Sequence, residues 1–284
     1  MGGVLSAGQR GPDDPELRSA FQRTVEEGET RLGRSLPQLL AAGGVGGIDI
    51  GIGVLALLVV EAETGSRLLG ALAFSLGFIA LTLGRSELFT ENFLIPVGAT
   101  VAKNATVGQL LRLWAGTAVA NIVAGWVITA LIVAALPELG PTAIAVARVY
   151  PELGIGWEAF ALGVLGGTAI TIMTWMERGA TSEFGKIAGA VGIGFLLAAA
   201  PLNHVIVVSL EMFAALHVGA PFGYLDWAGT AAWAALANMV GGLLLVTLLR
   251  LVQVGADEIE RERRRPQRRP QQGPSEEPED AAGP

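Results

Sequence analysis

His204 stands beside Asn203 between two apolar runs, residues 195–200 and 205–210, in a chain of 284 residues with only one other histidine, His217. An ionisable side chain inside a long apolar stretch is costly, so its presence points to function. Imidazole titrates near neutral pH, which suits proton exchange with the anion of a weak acid. The competing reading is a neutral ring satisfied by a nearby carbonyl. A second polar island, Gly84-Arg85-Ser86-Glu87-Leu88-Phe89-Thr90-Glu91-Asn92, interrupts another long apolar stretch. The Thr90 hydroxyl can donate to an anion or to His204, or it can cap a short helix. Glu87 and Glu91 can accept backbone N–H groups at a helix start or pair with Arg85. Asn92, Asn121 and Asn238 read as hydrogen-bonding groups between helices. Asp49 reads as paired or close to a helix end, and His217 as interfacial.

Other chemistries lack their residues. There is no cysteine, so disulfides, thiolate metal sites and cysteine nucleophiles are excluded. No histidine cluster has metal-ligand spacing, and no Gly-rich phosphate loop ends in Lys-Ser/Thr. Ser209 and Glu211 near His204 have the wrong order and context for a hydrolase triad. We therefore expect no enzyme, no cofactor and no metal. No basic face suggests a nucleic-acid partner.

The elements that position these residues are read from hydropathy. Hydrophobic residues make up 51% of the chain, charged residues 16%, and mean hydropathy is +0.52. Soluble domains carry roughly 25% charged residues, so this is a membrane composition. The net charge of −7 owes much to the two tails. A spanning helix needs about 20 mainly apolar residues. Six stretches qualify: Pro37–Val60, Ser66–Val101, Val107–Leu136, Trp157–Met176, Lys186–Val218 and Asp226–Gln253. The second and fifth are too long for one straight helix and carry the two polar interruptions. Lys103, Arg178, Lys186 and the Arg-rich tails lie on one side of this arrangement, which puts both termini in the cytoplasm. Three segments follow. Residues 1–36 form a cytoplasmic segment with an amphipathic helix, lying on the membrane surface or packed as a cap on the bundle. Residues 37–254 are the six-span transport domain, and residues 255–284 a disordered cytoplasmic tail. No cleaved signal is expected.

The spans repeat. Ala120-Asn121-Ile122-Val123-Ala124-Gly125 in the third matches Ala237-Asn238-Met239-Val240-Gly241-Gly242 in the sixth, and the same offset carries Glu87 onto His204. Gly46-Gly47 and Gly166-Gly167 occupy similar places in the first and fourth. Three spans per unit make the two halves insert in opposite directions. Inverted repeats with one broken helix each are a signature of transport proteins, whose path lies near the midplane between the breaks.

Phe74-Ser75-Leu76-Gly77, Glu87-Leu88-Phe89-Thr90, Lys186 and the Asn203-His204 break, at their mutual spacing, resemble the formate/nitrite transporter family over roughly Pro37 to Val254. The resemblance implies an aquaporin-like six-helix fold, a homopentamer and one pore per subunit. It implies passage of small monovalent anions such as formate, nitrite, hydrosulfide, acetate or lactate; the lone His204 between apolar flanks adds the expectation of a linked proton. By position, Thr90 is the threonine of the second-span loop and His204 the central histidine. Leu88 and Phe89 look like loop constriction residues, Phe74 matches an outer constriction and Phe78 occupies an inner one. Several positions depart from the family pattern: Arg85 replaces a glycine, Asn203 a common glutamate, Val208 an asparagine and Leu197 an aromatic. Arg148 is the candidate for a vestibule base. The expected partners are the anion, a proton, the lipid bilayer and four further copies of the chain. The alternatives are a channel for small neutral solutes or a non-transporting membrane scaffold.

Overall fold

The computed structural model describes residues 14–265, all of them in helices and the turns that join them. Five helices are long and apolar enough to cross a membrane: α2 (Leu36–Thr64), α3 (Arg67–Gly84), α5 (Val107–Ala135), α8 (Trp157–Gly179) and the continuous run Tyr224–Val254. That last run comprises α11 (Tyr224–Met239), a π-helical turn over Val240–Thr247 and α12 (Leu248–Val254). The fifth apolar stretch, expected to be interrupted at Pro201-Leu202-Asn203-His204, is two shorter helices, α9 (Glu183–Ala199) and α10 (Val205–His217). Pro201 explains the gap, because it lacks the N–H that helix continuation needs and disfavours helical backbone before it. Likewise α3 stops at Gly84, where Arg85 takes a left-handed conformation with φ 53°. A 3-10 turn over Phe89–Phe93 and the short α4 (Ile95–Val101) follow.

The remaining helices close the two ends. α1 (Pro15–Leu32) starts where the Asp14 carboxylate accepts from the N–H groups of Glu16 and Leu17. Its buried stripe, Leu17, Phe21, Val25, Gly28 and Leu32, repeats at helical spacing. That stripe lies chiefly on α4, with further contacts to α8, so the helix is packed as a cap on the bundle. A Cβ on Gly28 would stand 2.5 Å from the Ile95 carbonyl oxygen, and only glycine permits that approach. At the same end, Ala256–Arg264 forms helix α13, touching α1 and α12. The tail expected to be disordered from 255 is therefore helical in its first part, held by i,i+3 and i,i+4 pairs such as Glu260 with Arg263 and Arg264. Residues 1–13 and 266–284 of the two expected tail segments lie outside the described residues. The opposite end carries α6 (Gly140–Ala147) and α7 (Val149–Leu153), which pack Ala147 and Tyr150 onto Val208, Met212 and Ala215 of α10.

The largest apolar core joins α2, α3, α5, α8, α9 and α10, and it contains Phe74, Phe78, Leu88, Phe89 and Leu197. α3 turns Phe74, Phe78 and Leu81 inward while Leu68, Leu72, Leu76 and Leu83 face outward and exposed. An apolar outer face costs nothing against lipid, whereas a water-soluble bundle needs charge there.

Candidate transport pathway

Two asparagines hold the two interruptions in place by parallel sets of bonds. Asn121 of α5 accepts from the Phe89 N–H at 2.9 Å and donates to the carbonyls of Gly43 and Glu87 at 2.6 and 2.8 Å. Asn238 of α11 accepts from the Val205 N–H at 2.9 Å and donates to the carbonyls of Gly163 and Asn203 at 2.7 and 3.0 Å. Each side chain therefore satisfies backbone groups that lost their helical partners at a break, and links that break to a neighbouring helix. Buried backbone groups need such partners. A glycine on that neighbour lets the asparagine's backbone approach: Cβ atoms on Gly47 and Gly167 would stand 2.5 and 2.2 Å from the Asn121 and Asn238 oxygens.

These supports bring Thr90 and His204 together. Thr90 Oγ1 lies 2.7 Å from His204 Nε2, and both residues are fully buried. His204 is the N-cap of α10, and its Nδ1 accepts from the Val207 N–H at 3.4 Å. With Nδ1 as acceptor, a neutral ring carries its proton on Nε2 and donates it to Thr90. The threonine hydroxyl hydrogen is then free to point at a guest. Asn203 turns the other way, donating to the Ala159 carbonyl on α8 at 3.3 Å, while its Oδ1 is buried without a partner among the described residues. Phe74 and Phe78 stack edge-to-face at 5.7 Å, and Phe89 meets Phe93 at 5.0 Å. Leu88 is fully buried beside them. The polar pair thus sits among large apolar side chains.

The acidic residues of the first interruption have partners that spacing alone did not reveal. Glu87 and Glu91 do not pair with Arg85. Arg31, reaching in from α1, lies 3.2 Å from Glu87 and 3.3 Å from Glu91, and donates to Asn92 Oδ1 at 3.1 Å. Arg34 bonds the same Glu87 oxygen. Burial pushes the Arg31 guanidinium pKa down, but Glu87, Glu91 and Glu27 outweigh it and hold the value above the ordinary one. Glu91 also accepts weakly from the Leu88 N–H, at 3.5 Å. Asp49 accepts from the Ser86 hydroxyl. His217 packs on Trp126 with ring centroids 4.9 Å apart.

Two cavities lie beside the interrupted stretches, one at each end of the bundle. On the side of α1, a cavity of about 220 Å³ is lined by Arg23, Arg31, Arg85, Arg178 and Lys186 against Glu27, Glu91 and Glu177. Lys186 is paired with Glu183 at 2.8 Å, and Glu177 accepts from Thr82 at 2.6 Å. On the opposite side, a cavity of about 70 Å³ reaches Pro201 and carries Glu61, Arg67, Tyr150 and Glu211. Arg148 lies outside it, paired with Glu152 at 3.0 Å. Arg31, Glu177, Arg178, Tyr150 and Glu211 were not among the expected site residues. Glu211 had a signal, being an acid in an apolar helix two turns beyond His204, whereas the others depend on contacts between distant segments.

A bundle of apolar membrane-length helices, with a buried hydroxyl–imidazole pair where two interrupted stretches meet, defines an integral membrane protein of the channel or transporter type. The formate/nitrite transporter family profile matches residues 18–252, and the chain belongs to that family. It is 28% identical over 251 residues to the inner membrane protein YfdC of Escherichia coli, covering 82% of this chain and 77% of that one. It is 26% identical over 250 residues to the uncharacterized transporter YrhG of Bacillus subtilis, covering 81% and 90%. A 119-residue stretch is 36% identical to the formate channel FocA of Haemophilus influenzae, covering 39% and 41%. Among solved structures, the fold is similar to an FNT family ion channel, with TM-score 0.70 at 13% identity over 81% of this chain and 96% of the other. It is also similar to a pentameric formate channel with formate bound, with TM-score 0.64 at 22% identity over 75% and 95%.

Proposed function

We propose that this protein moves small monovalent anions of weak acids, such as formate or nitrite, across the inner membrane, with a proton exchanged at Thr90 and His204. The observation that carries the reading is the 2.7 Å contact between these two fully buried residues at the junction of both interruptions. The family and the formate channels among its relatives support the substrate class. α9, the Pro201 break and α10 serve together as the fifth of six spans, and the parallel Asn121 and Asn238 bonds support two inverted three-helix halves. Both termini face the cytoplasm, on the side of the Arg-rich cavity, as the distribution of cations favours. The assembly is a homopentamer, a reading the pentameric formate channel supports, with a pathway in each subunit.

The physics runs in three steps. Cations exceed acids around the cavity beside α1, which raises the local concentration of anions. A charged guest cannot pass the buried apolar zone of Phe74, Phe78, Leu88 and Phe89 without a large desolvation cost. At Thr90 the guest accepts a hydrogen bond from the free hydroxyl, takes up a proton delivered through water beside His204 and continues as the neutral acid. Flux then follows the proton gradient.

Flux into proteoliposomes of the purified protein tests this, comparing formate, nitrite and glycerol at pH 5 and pH 7.5. Uptake of the anions that rises at low pH is expected. Glycerol flux without formate or nitrite flux would replace the reading with a neutral-solute channel.

A further inference from the structure

The cavity opposite α1 holds a buried acid that the exchange at Thr90 and His204 does not yet use. Glu211 lies on α10 seven residues beyond His204, which places it about 10 Å along the helix and close to the same face. Its side chain is buried, and Tyr150 Oη donates to Glu211 Oε2 at 2.5 Å. Among the described residues, Oε1 has no hydrogen bond, and Glu211 lines the 70 Å³ cavity that reaches Pro201, three residues before His204. A space of that size holds water, which needs about 10–15 Å³. The other charged or titratable groups facing it are Glu61 from α2, Arg67 from α3 and Tyr150 from α7, and the rest of the lining is apolar. A carboxyl group fixed by a tyrosine, with one oxygen turned toward a wet cavity, is arranged for proton transfer more than for packing, since a buried acid is costly unless used or paired.

We propose that Glu211, positioned by Tyr150, is the port through which protons from the side opposite α1 reach the exchange at Thr90 and His204. The proposal rests on the weak-acid reading above. Glu211 loses its proton from Oε1 to a cavity water, and a chain of waters passes one proton on to the anion held at Thr90. The Glu211 O–H bond breaks, the O–H bond of the neutral acid forms, and the waters are unchanged. A proton from bulk water beyond Arg67 restores the acid. In the reverse direction each transfer runs backward.

The test uses the full-length protein in proteoliposomes and follows formate flux from pH 7.5 to pH 5 for wild type, Glu211→Gln, Glu211→Asp and Tyr150→Phe. Glu211→Gln is expected to flatten the pH profile and to lower flux at pH 5 about tenfold or more, the usual scale for losing a proton-transfer group. Glu211→Asp is expected to restore the pH dependence at reduced amplitude. Tyr150→Phe keeps the carboxyl group and is expected to keep the dependence while moving its midpoint. A wild-type pH profile in a correctly assembled Glu211→Gln protein overturns the proposal. If that variant fails to assemble, an unmoved midpoint in Tyr150→Phe overturns it. Loss of the transport reading is seen separately, as wild-type protein that moves neither formate nor nitrite.

Discussion

Thr90 Oγ1 and His204 Nε2 stand 2.7 Å apart although 114 residues separate them in the chain. The contact joins the 3-10 turn after α3 to the N-cap of α10, so both interrupted stretches meet at one hydrogen bond. Replacing His204 with Phe keeps ring bulk and removes the titrating group. The pH dependence of formate flux is expected to disappear or change shape, and an unchanged profile would exclude His204 from proton exchange. Thr90→Ala leaves a buried ring N–H without its acceptor and is expected to reduce flux about tenfold, whereas Thr90→Ser should stay near wild type.

Asn121 and Asn238 each close two hydrogen bonds to backbone at a break and one to a carbonyl of a neighbouring helix. Leucine in either place leaves a buried carbonyl and an N–H at the break without this partner. A loss of about 2–4 kcal/mol is expected for each variant, given ~1–3 kcal/mol per unsatisfied group. Thermal unfolding in detergent, read as the loss of the assembled species, checks this. Equal Tm values for variants and wild type would mean that the asparagines do not support the breaks.

Arg31 is the main countercharge for Glu87 and Glu91, since its side chain is buried with theirs. Arg34 shares Glu87 but is more exposed. Arg31→Met should therefore destabilise by about 3–5 kcal/mol, the scale for stranding a buried charge. Arg34→Met should have a smaller effect. Limited proteolysis within α1 gives a second readout, because undocking exposes it.

Glu27 supplies a pH test at the same joint. Burial works upward on its carboxyl pKa, but Arg31, then Arg178 and Arg34, outweigh it and hold the value below the ordinary 4.5. A depressed folded pKa adds stability above the unfolded value and loses it as pH falls through the folded one. Glu27→Gln should be less stable than wild type at pH 7 by about 0.5–1 kcal/mol, a modest figure because the pair is partly exposed. That gap should close on acidification below 4.5. A gap that widens instead would give the pair the wrong sign.

Gly46 and Gly44 make a matched pair on α2. A Cβ on Gly46 would lie 2.2 Å from the Glu87 carbonyl oxygen, while one on Gly44 meets nothing within 4 Å. Gly46→Ala should push the first interruption away and cost about 1–3 kcal/mol or more. Gly44→Ala should be neutral or stabilising by about 0.5–1 kcal/mol, from helix propensity. Tm values in one detergent compare them directly.

Much of the bundle was legible because a bilayer demands long apolar helices and leaves polar islands conspicuous. His204, Thr90 and the asparagines stood out for that reason. The break in the fifth stretch was legible too, since Pro201 and the polar Asn203-His204 pair interrupt the apolar run where α9 ends and α10 begins. Arg85 misled as the partner of Glu87 and Glu91, because adjacency in sequence is not adjacency of side chains. Its left-handed backbone belongs to the turn that ends α3. α13 was missed because its residues are too polar to signal a packed helix; local ion pairs and contact with α1 and α12 hold it there.

Composition, the apolar stretches and the two polar interruptions determined a helical membrane protein with a central histidine and a nearby threonine. Those properties depend on local hydropathy and residue type, which are written along the chain. Tertiary structure alone decided that Arg31 neutralises the first interruption and that Asn203 faces α8 while His204 faces Thr90. It also decided that Glu211 and Tyr150 share a cavity opposite α1. Each depends on which helix faces pack together, a global outcome of burying glycine-lined surfaces and satisfying backbone groups at the breaks.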